Sequence, residues 1–158
     1  MLTIRRYREA DHDAVWEVHN LALHQAGAHV GNGPWDDDLH HVEEVYLADG
    51  GEFLVGECEG RVVAMGAVRR VSDEVAKIAR MRVHPDWQRR GFGEAILLRL
   101  EARAAELGYR TLVLDTTVGQ TAAQALYEKH GYRETGRTTM HGFDVILYEK
   151  LLAPAGAG

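Results

Sequence analysis

Arg82-Val83-His84-Pro85-Asp86-Trp87-Gln88-Arg89-Arg90-Gly91-Phe92-Gly93 joins a strand-like segment to a helical one through a basic turn bearing two glycines. The glycines let the backbone turn sharply and come close to a ligand, and the helix that follows offers free N–H groups at the positive end of its dipole. Arg89 and Arg90 add formal charge, so the junction is suited to phosphates. Two phosphate-binding patterns fail on spacing. No string of Gly, four residues and Gly-Lys-Ser/Thr occurs, and a dinucleotide fingerprint starting at Gly91 would need a small residue where Ile96 stands.

What remains is Gln88-Arg89-Arg90-Gly91-Phe92-Gly93, which resembles the acetyl-coenzyme A loop of the GNAT superfamily of N-acetyltransferases. Further along, Ala122-Ala123-Gln124-Ala125-Leu126-Tyr127-Glu128-Lys129-His130-Gly131-Tyr132 is similar to that superfamily's second signature, a helix carrying Leu-Tyr-Glu-Lys and stopping at Gly-aromatic. Order and separation of the two signatures agree with the superfamily, and the element order extends the resemblance over residues 2 to 151.

Element signals run through the chain. Leu2, Ile4 and Tyr7 suggest a first strand, and Asp11 is positioned to cap a helix with Val15, Val18 and Ala22 on one face. Gln25 to Pro34 is irregular. Asp36 to Asp38 suit the start of a second helix with Leu39, Val42 and Tyr46 on one face; Asp36, Asp37, Asp38, Glu43 and Glu44 would suit a cationic acceptor but read more simply as a solvated surface. Phe53 to Cys58 pairs with Val62 to Val71 through Glu59-Gly60. Val75 to Val83 is a fourth strand. There Ile78 breaks the phase kept by Ala79, Met81 and Val83, so a bulge fits. A helix from Gly93 to Leu107 ends at Gly108, and Leu112-Val113-Leu114 reads as a strand covered on both faces. Thr121 is placed to cap the Tyr127 helix. Tyr132 to Arg137 and Phe143 to Leu151 read as the last strands.

The fold class expected is α/β: a mixed, mostly antiparallel central sheet of about seven strands with about four helices. Residues 1–152 make one domain and 153–158 a flexible tail. Net charge of −6 argues against nucleic acid as a partner, and no apolar run is long enough to span a membrane. With one cysteine, Cys58, and no signal-peptide order at the start, the expected location is cytoplasmic. Nine histidines show no convincing metal-ligand spacing. Oligomeric state is left open, a homodimer included.

The resemblance implies that acetyl-coenzyme A is the donor and an amine the acceptor. It implies that backbone groups of Met81, Arg82 and Val83 hold the pantetheine arm. Those of Gln88, Arg89, Arg90, Gly91, Phe92, Gly93 and Glu94 hold the pyrophosphate, and Gln120, Ala123 and Tyr127 also face the donor. Tyr127 is the proton donor to the thiolate, since a phenol is neutral near pH 7. Two positions depart from the pattern: Lys77 stands where many members place a glutamate base, and Gln120 where many have asparagine. Glu74, Asp115, His19, His24 and His29 are open as bases. A reading from another class is a non-catalytic acyl-coenzyme A sensor or protein-interaction module on the same fold.

Overall fold

Seven strands form one sheet in the computed structural model, which describes residues 1–27, 29 and 31–152. The strands are β1 (Thr3–Arg6), β2 (Glu52–Cys58), β3 (Arg61–Arg70), β4 (Val75–Val83), β5 (Thr111–Thr117), β6 (Arg133–Met140) and β7 (Phe143–Leu151). Their spatial order is β1-β2-β3-β4-β5-β7-β6. All neighbours are antiparallel except β4 and β5, whose connection is the α-helix α2 (Phe92–Glu106). Helix α1 (His12–Gln25) follows β1, and α3 (Thr121–Lys129) follows β5. The segment 153–158 lies outside the described residues.

Apolar side chains on both sheet faces build two cores. Ile96, Leu97, Leu100 and Ala104 of α2 pack with Val68, Ile78, Leu112 and Tyr127 on one side. Val15 and Val18 of α1 join Leu39, Tyr46, Phe53 and Met65 on the other. Full burial of each large aliphatic or aromatic side chain contributes roughly 1.5–3 kcal/mol, so packing on both faces stabilises the sheet that carries the site.

Several local expectations are corrected. The stretch expected as a second α-helix is a 3-10 helix at Pro34–His40 followed by a π-helical turn at Glu43–Leu47. With three residues per turn, Asp36 and Leu39 fall on one side, and both are buried while Asp37 and His40 face solvent. Asp36 is therefore no part of a solvated face. Asp11 precedes α1 but makes no side-chain cap, because its carboxylate is taken by the Arg5 guanidinium at 2.8 Å and the Arg8 amide. Gln120, not Thr121, occupies the cap position of α3. In β5, Leu112 and Leu114 are buried but Val113 is only half-buried, so the strand alternates instead of being covered on both faces.

The break of phase in β4 is a bulge. Ala67 pairs with Ala79 and Met65 with Arg82, so Arg80 and Met81 together oppose Gly66. Arg80 takes a φ of 57°, left-handed for a non-glycine residue. The extra residue switches which side chains meet α2: Ala76 and Ile78 before it, Met81 and Val83 after it. Gly66 makes room, since a Cβ there would lie 2.6 Å from Met81 Sδ and 2.7 Å from Ile96 Cγ2.

Candidate active site

Pairing between β4 and β5 runs only from Val75–Thr111 to Lys77–Val113, and an ion pair of Lys77 with Asp115 at 2.8 Å stands beside the last rung. Beyond it the strands part. The bulge bends β4 away, and a cleft of about 360 Å³ opens between α1 and the 3-10 segment on one side and β5 and α3 on the other. Ligand pockets commonly form where a sheet's strands separate, because backbone groups there are free of the ladder.

One wall of the cleft is a buried charge network. Arg80 Nε and Nη2 meet the two oxygens of Asp38 at 2.9 and 2.6 Å, and Nη2 also donates to the Trp35 carbonyl at 2.6 Å. Tyr46 donates its hydroxyl to the same Asp38 carboxylate. Burial alone would raise the pKa of Asp38, but the hydrogen bonds and charge of Arg80 outweigh it and hold the carboxyl below its ordinary value. Asp36 lies 3.7 Å from Arg80 and accepts from Asn32 at 3.0 Å. It is also 3.0 Å from His19 Nε2.

His19 is fully buried. Burial first, then the charges of Arg82 and Arg80, pull its pKa down to about 4, so the ring is neutral at pH 7. Asp36, itself held below the usual carboxylate value, is an acceptor only, so the His19 proton sits on Nε2 and Nδ1 keeps a lone pair. An unfolded chain would protonate His19 near 6.5, which the folded one resists, so folding stability falls as pH drops from about 6.5 towards 4. Urea midpoints across that window are expected to show a shallower fall in His19→Gln than in the wild type.

Arg82 lies two residues beyond Arg80, and both line the cleft. Its Nη1 donates to the Met81 carbonyl at 2.8 Å, but Nε is buried with no partner among the described residues. Burial, then the like charge of Arg80, pull its pKa down to about 10, so it stays cationic at pH 7.

The junction after β4 is shaped by its side chains. His84 Nδ1 accepts from the Asp86 amide at 3.1 Å, Pro85–Trp87 form a single 3-10 turn, and Gln88 Nε2 returns to the Val83 carbonyl at 3.1 Å. Arg89 and Gly91 both take left-handed φ, 63° and 79°, and the Arg90 guanidinium lies 4.8 Å from the Trp87 ring centroid. None of the backbone N–H groups from Gln88 to Glu94 donates to a partner among the described residues. Successive unpaired amides in such a turn, at the start of a helix, form a concave anion cradle. The Glu94 side chain points elsewhere, pairing with Lys129 at 2.7 Å and His130 at 2.8 Å.

Tyr127 reaches the cleft from α3, its ring in edge contact with Tyr132 at 5.6 Å between centroids. Its hydroxyl has no hydrogen bond among the described residues, and burial pushes its pKa up to about 12, so it holds its proton throughout the neutral range. Met81, Arg82, Gln120 and Ala123 also line the cleft, while Val83 packs towards α2. The Gln120 side-chain oxygen is engaged by Thr116 and Thr117 hydroxyls at 3.2 and 3.0 Å, which ties it to the end of β5.

Among the bases left open, Glu74 is exposed beside Arg110, and Asp115 is paired with Lys77. His29 lines the cleft and stacks on His24 at 3.9 Å. Sequence reasoning passed over Arg80, and it read Asp36 and Asp38 as a solvated helix face in preference to contacts for a cationic acceptor. The signal available was the Arg80-Met81-Arg82 alternation, which places two guanidinium groups on one face of the strand, the bulge turning that face from α2 to the cleft. Among the described residues no group of three or more His, Cys, Asp or Glu side chains could hold a metal ion, and no helix is long and apolar enough to cross a membrane.

Comparison with known proteins agrees with this architecture. The human protein N-acetyltransferase 8 is 27% identical over 77% of the chain, which spans 60% of that relative's length. A GNAT-family acetyltransferase from Staphylococcus aureus Mu50 superposes with a TM-score of 0.88 at 18% identity, covering 97% of this chain and 100% of that one. An acetyltransferase from Salmonella typhimurium, solved with its cofactor acetyl-CoA, superposes with a TM-score of 0.80 at 24% identity, covering 100% and 98%. The sequence model of the acetyltransferase (GNAT) family matches residues 7–132, so the chain belongs to that family.

Proposed function

We propose that the chain transfers the acetyl group of acetyl-coenzyme A to a primary amine by direct attack, and that Tyr127 protonates the departing sulfur. The observation that carries this reading is the run of amides from Gln88 to Glu94, unpaired among the described residues, that follows the strand whose Met81 and Arg82 line a cleft with Tyr127, its hydroxyl also unpaired among them. The thioester supplies an acetyl carbon already activated for attack. Backbone N–H groups of the cradle and the charges of Arg89 and Arg90 would bind the diphosphate, and the β4 backbone from Met81 to Val83, freed from β5, would align the pantetheine arm.

The amine nitrogen bonds to the acetyl carbon as the carbon–sulfur bond breaks, the amine gives up one proton to water, and Tyr127 delivers one to sulfur. A backbone N–H on β4 aimed at the carbonyl oxygen would lower the barrier by about 3 kcal/mol, the usual worth of one such donor. With its pKa near 12, Tyr127 is protonated at neutral pH and regains its proton from solvent after each turnover.

Replacing Arg89 and Arg90 together by alanine is expected to weaken acetyl-coenzyme A binding about tenfold at low salt and less at high salt, measured by calorimetry. The reading as a whole is tested by following release of free coenzyme A against a panel of primary amines. Release that depends on an amine supports it. Tight coenzyme binding with no release on any amine would make the chain a sensor of acyl-coenzyme A instead.

A further inference from the structure

We propose that the acceptor is a small amine carrying a carboxylate, an amino acid in the simplest case, with the carboxylate held by the Arg82 guanidinium and the amine nitrogen donating to His19 Nδ1. This deepens, and rests on, the reading of the cleft as an N-acetyltransferase site. It starts from a coincidence of place. Two buried side-chain polar atoms have no partner among the described residues, Arg82 Nε and His19 Nδ1, and both residues line the same cleft. Buried polar atoms in folded proteins are nearly always paired, so an unpaired pair in one cleft marks what a ligand supplies.

The two groups ask for opposite things. Arg82 is a donor with formal charge. No carboxylate of the protein pairs with it among the described residues, because Arg80 engages Asp38 and Lys77 engages Asp115. Asp36 is shared among His19, Asn32 and Arg80. A cation left without a counter-ion in a buried place is costly, and a ligand anion relieves it. The guanidinium fork matches the two oxygens of a carboxylate, and one uncompensated positive charge calls for a monoanion.

His19 is the reverse. Asp36 fixes its proton on Nε2, so Nδ1 can only accept, and it accepts an N–H. It shares the cleft with Arg82, whose charge, after burial, does most to keep the ring neutral. A neutral ring is needed here, because an imidazolium would repel an ammonium and could not take its hydrogen bond. A molecule with an anionic group for Arg82 and an N–H for His19 is an amino acid or a compound built on one. The size of the cleft, about 360 Å³, suits a small molecule.

The experiment uses the products, so that binding is read without turnover. The full chain is saturated with coenzyme A, and the N-acetyl derivatives of the twenty standard amino acids are titrated in by calorimetry, each beside its C-terminal amide. At least one acid is expected to bind about tenfold or more tightly than its amide. That preference should vanish in Arg82→Gln, which alters the guanidinium and leaves the peptide groups of β4 in place. In His19→Phe, acid and amide should both weaken about tenfold, keeping the ratio between them.

If Arg82→Gln is unfolded by circular dichroism, Arg82→Lys keeps the charge but loses the fork, and a reduced preference there gives the same answer. Equal affinity of acids and amides in the wild type overturns the proposal. So does a loss of acetyl-coenzyme A affinity in a folded Arg82 variant, which would assign the guanidinium to the donor. Failure of the broader reading is separately visible as coenzyme A that is never released in the presence of any amine.

Discussion

Tyr127→Phe is expected to lower kcat for coenzyme A release about a hundredfold or more, with acetyl-coenzyme A affinity unchanged. The ring keeps its edge contacts with Tyr132 and Tyr148, at 5.6 and 6.3 Å between centroids, so packing is preserved and only the hydroxyl is lost. That hydroxyl makes no hydrogen bond among the described residues, so its removal strands no partner and folding stability should stay within about 0.5 kcal/mol. A positioned acid is worth roughly 10²–10⁴ in rate, which sets the size of the expected loss. Stopped-flow thiol detection with a slow and a fast amine separates chemistry from product release. Full turnover in the variant would show that Tyr127 is only part of the packed face of α3.

The second large effect falls on stability. Arg80→Met is expected to cost about 3–5 kcal/mol, because it removes one partner of a buried pair and leaves Asp38 and Asp36 without their shared cation. In a chain of this size that corresponds to a fall in Tm of roughly 10 °C. The loss has a pH signature. With Arg80 present, Asp38 is held below its ordinary value; without it, burial pushes the carboxyl up. Wild type therefore gains stability above the carboxylate range that the variant lacks, and the difference narrows as pH falls and Asp38 takes a proton. Adding Asp38→Asn to Arg80→Met is expected to recover part of the loss, since the stranded charge is gone. A variant as stable as wild type at pH 7 would mean that water reaches and solvates these carboxylates.

What could be read from the sequence followed from local rules. The strand at Val75–Val83 and the one at Phe143–Leu151 have the expected bounds because apolar alternation and flanking turns specify them. The Glu59-Gly60 turn is marked by a residue pair able to take positive φ twice, 53° and 77°. The junction after Val83 was legible because its glycines and arginines are contiguous. The 34–47 region was not. Leu39, Val42 and Tyr46 fit an α-helix on paper, and nothing local says that Asp36 and Asp38 will turn inwards to the Arg80 guanidinium from β4. Such long-range charge pairing overrides local preference. The same holds for Arg82 and His19, which lie far apart in the chain and whose unpaired atoms can be seen only once α1 is laid over the sheet.

The bulge in β4 makes residue parity a structural constraint. Side chains before Ala79 and after Arg80 are read by different counting, so one residue inserted after Arg80 would send Arg82 towards α2 and Met81 into the cleft. Every later atom of the strand would then present the wrong chemistry to the wrong side, while the junction at Gln88–Glu94 kept its shape. Insertion beyond Arg80 is thus barred, whereas the Ser72-Asp73 turn just before β4 can lengthen without disturbing any face. Tracts that conserve spacing while tolerating substitution are the imprint such a device leaves on related chains.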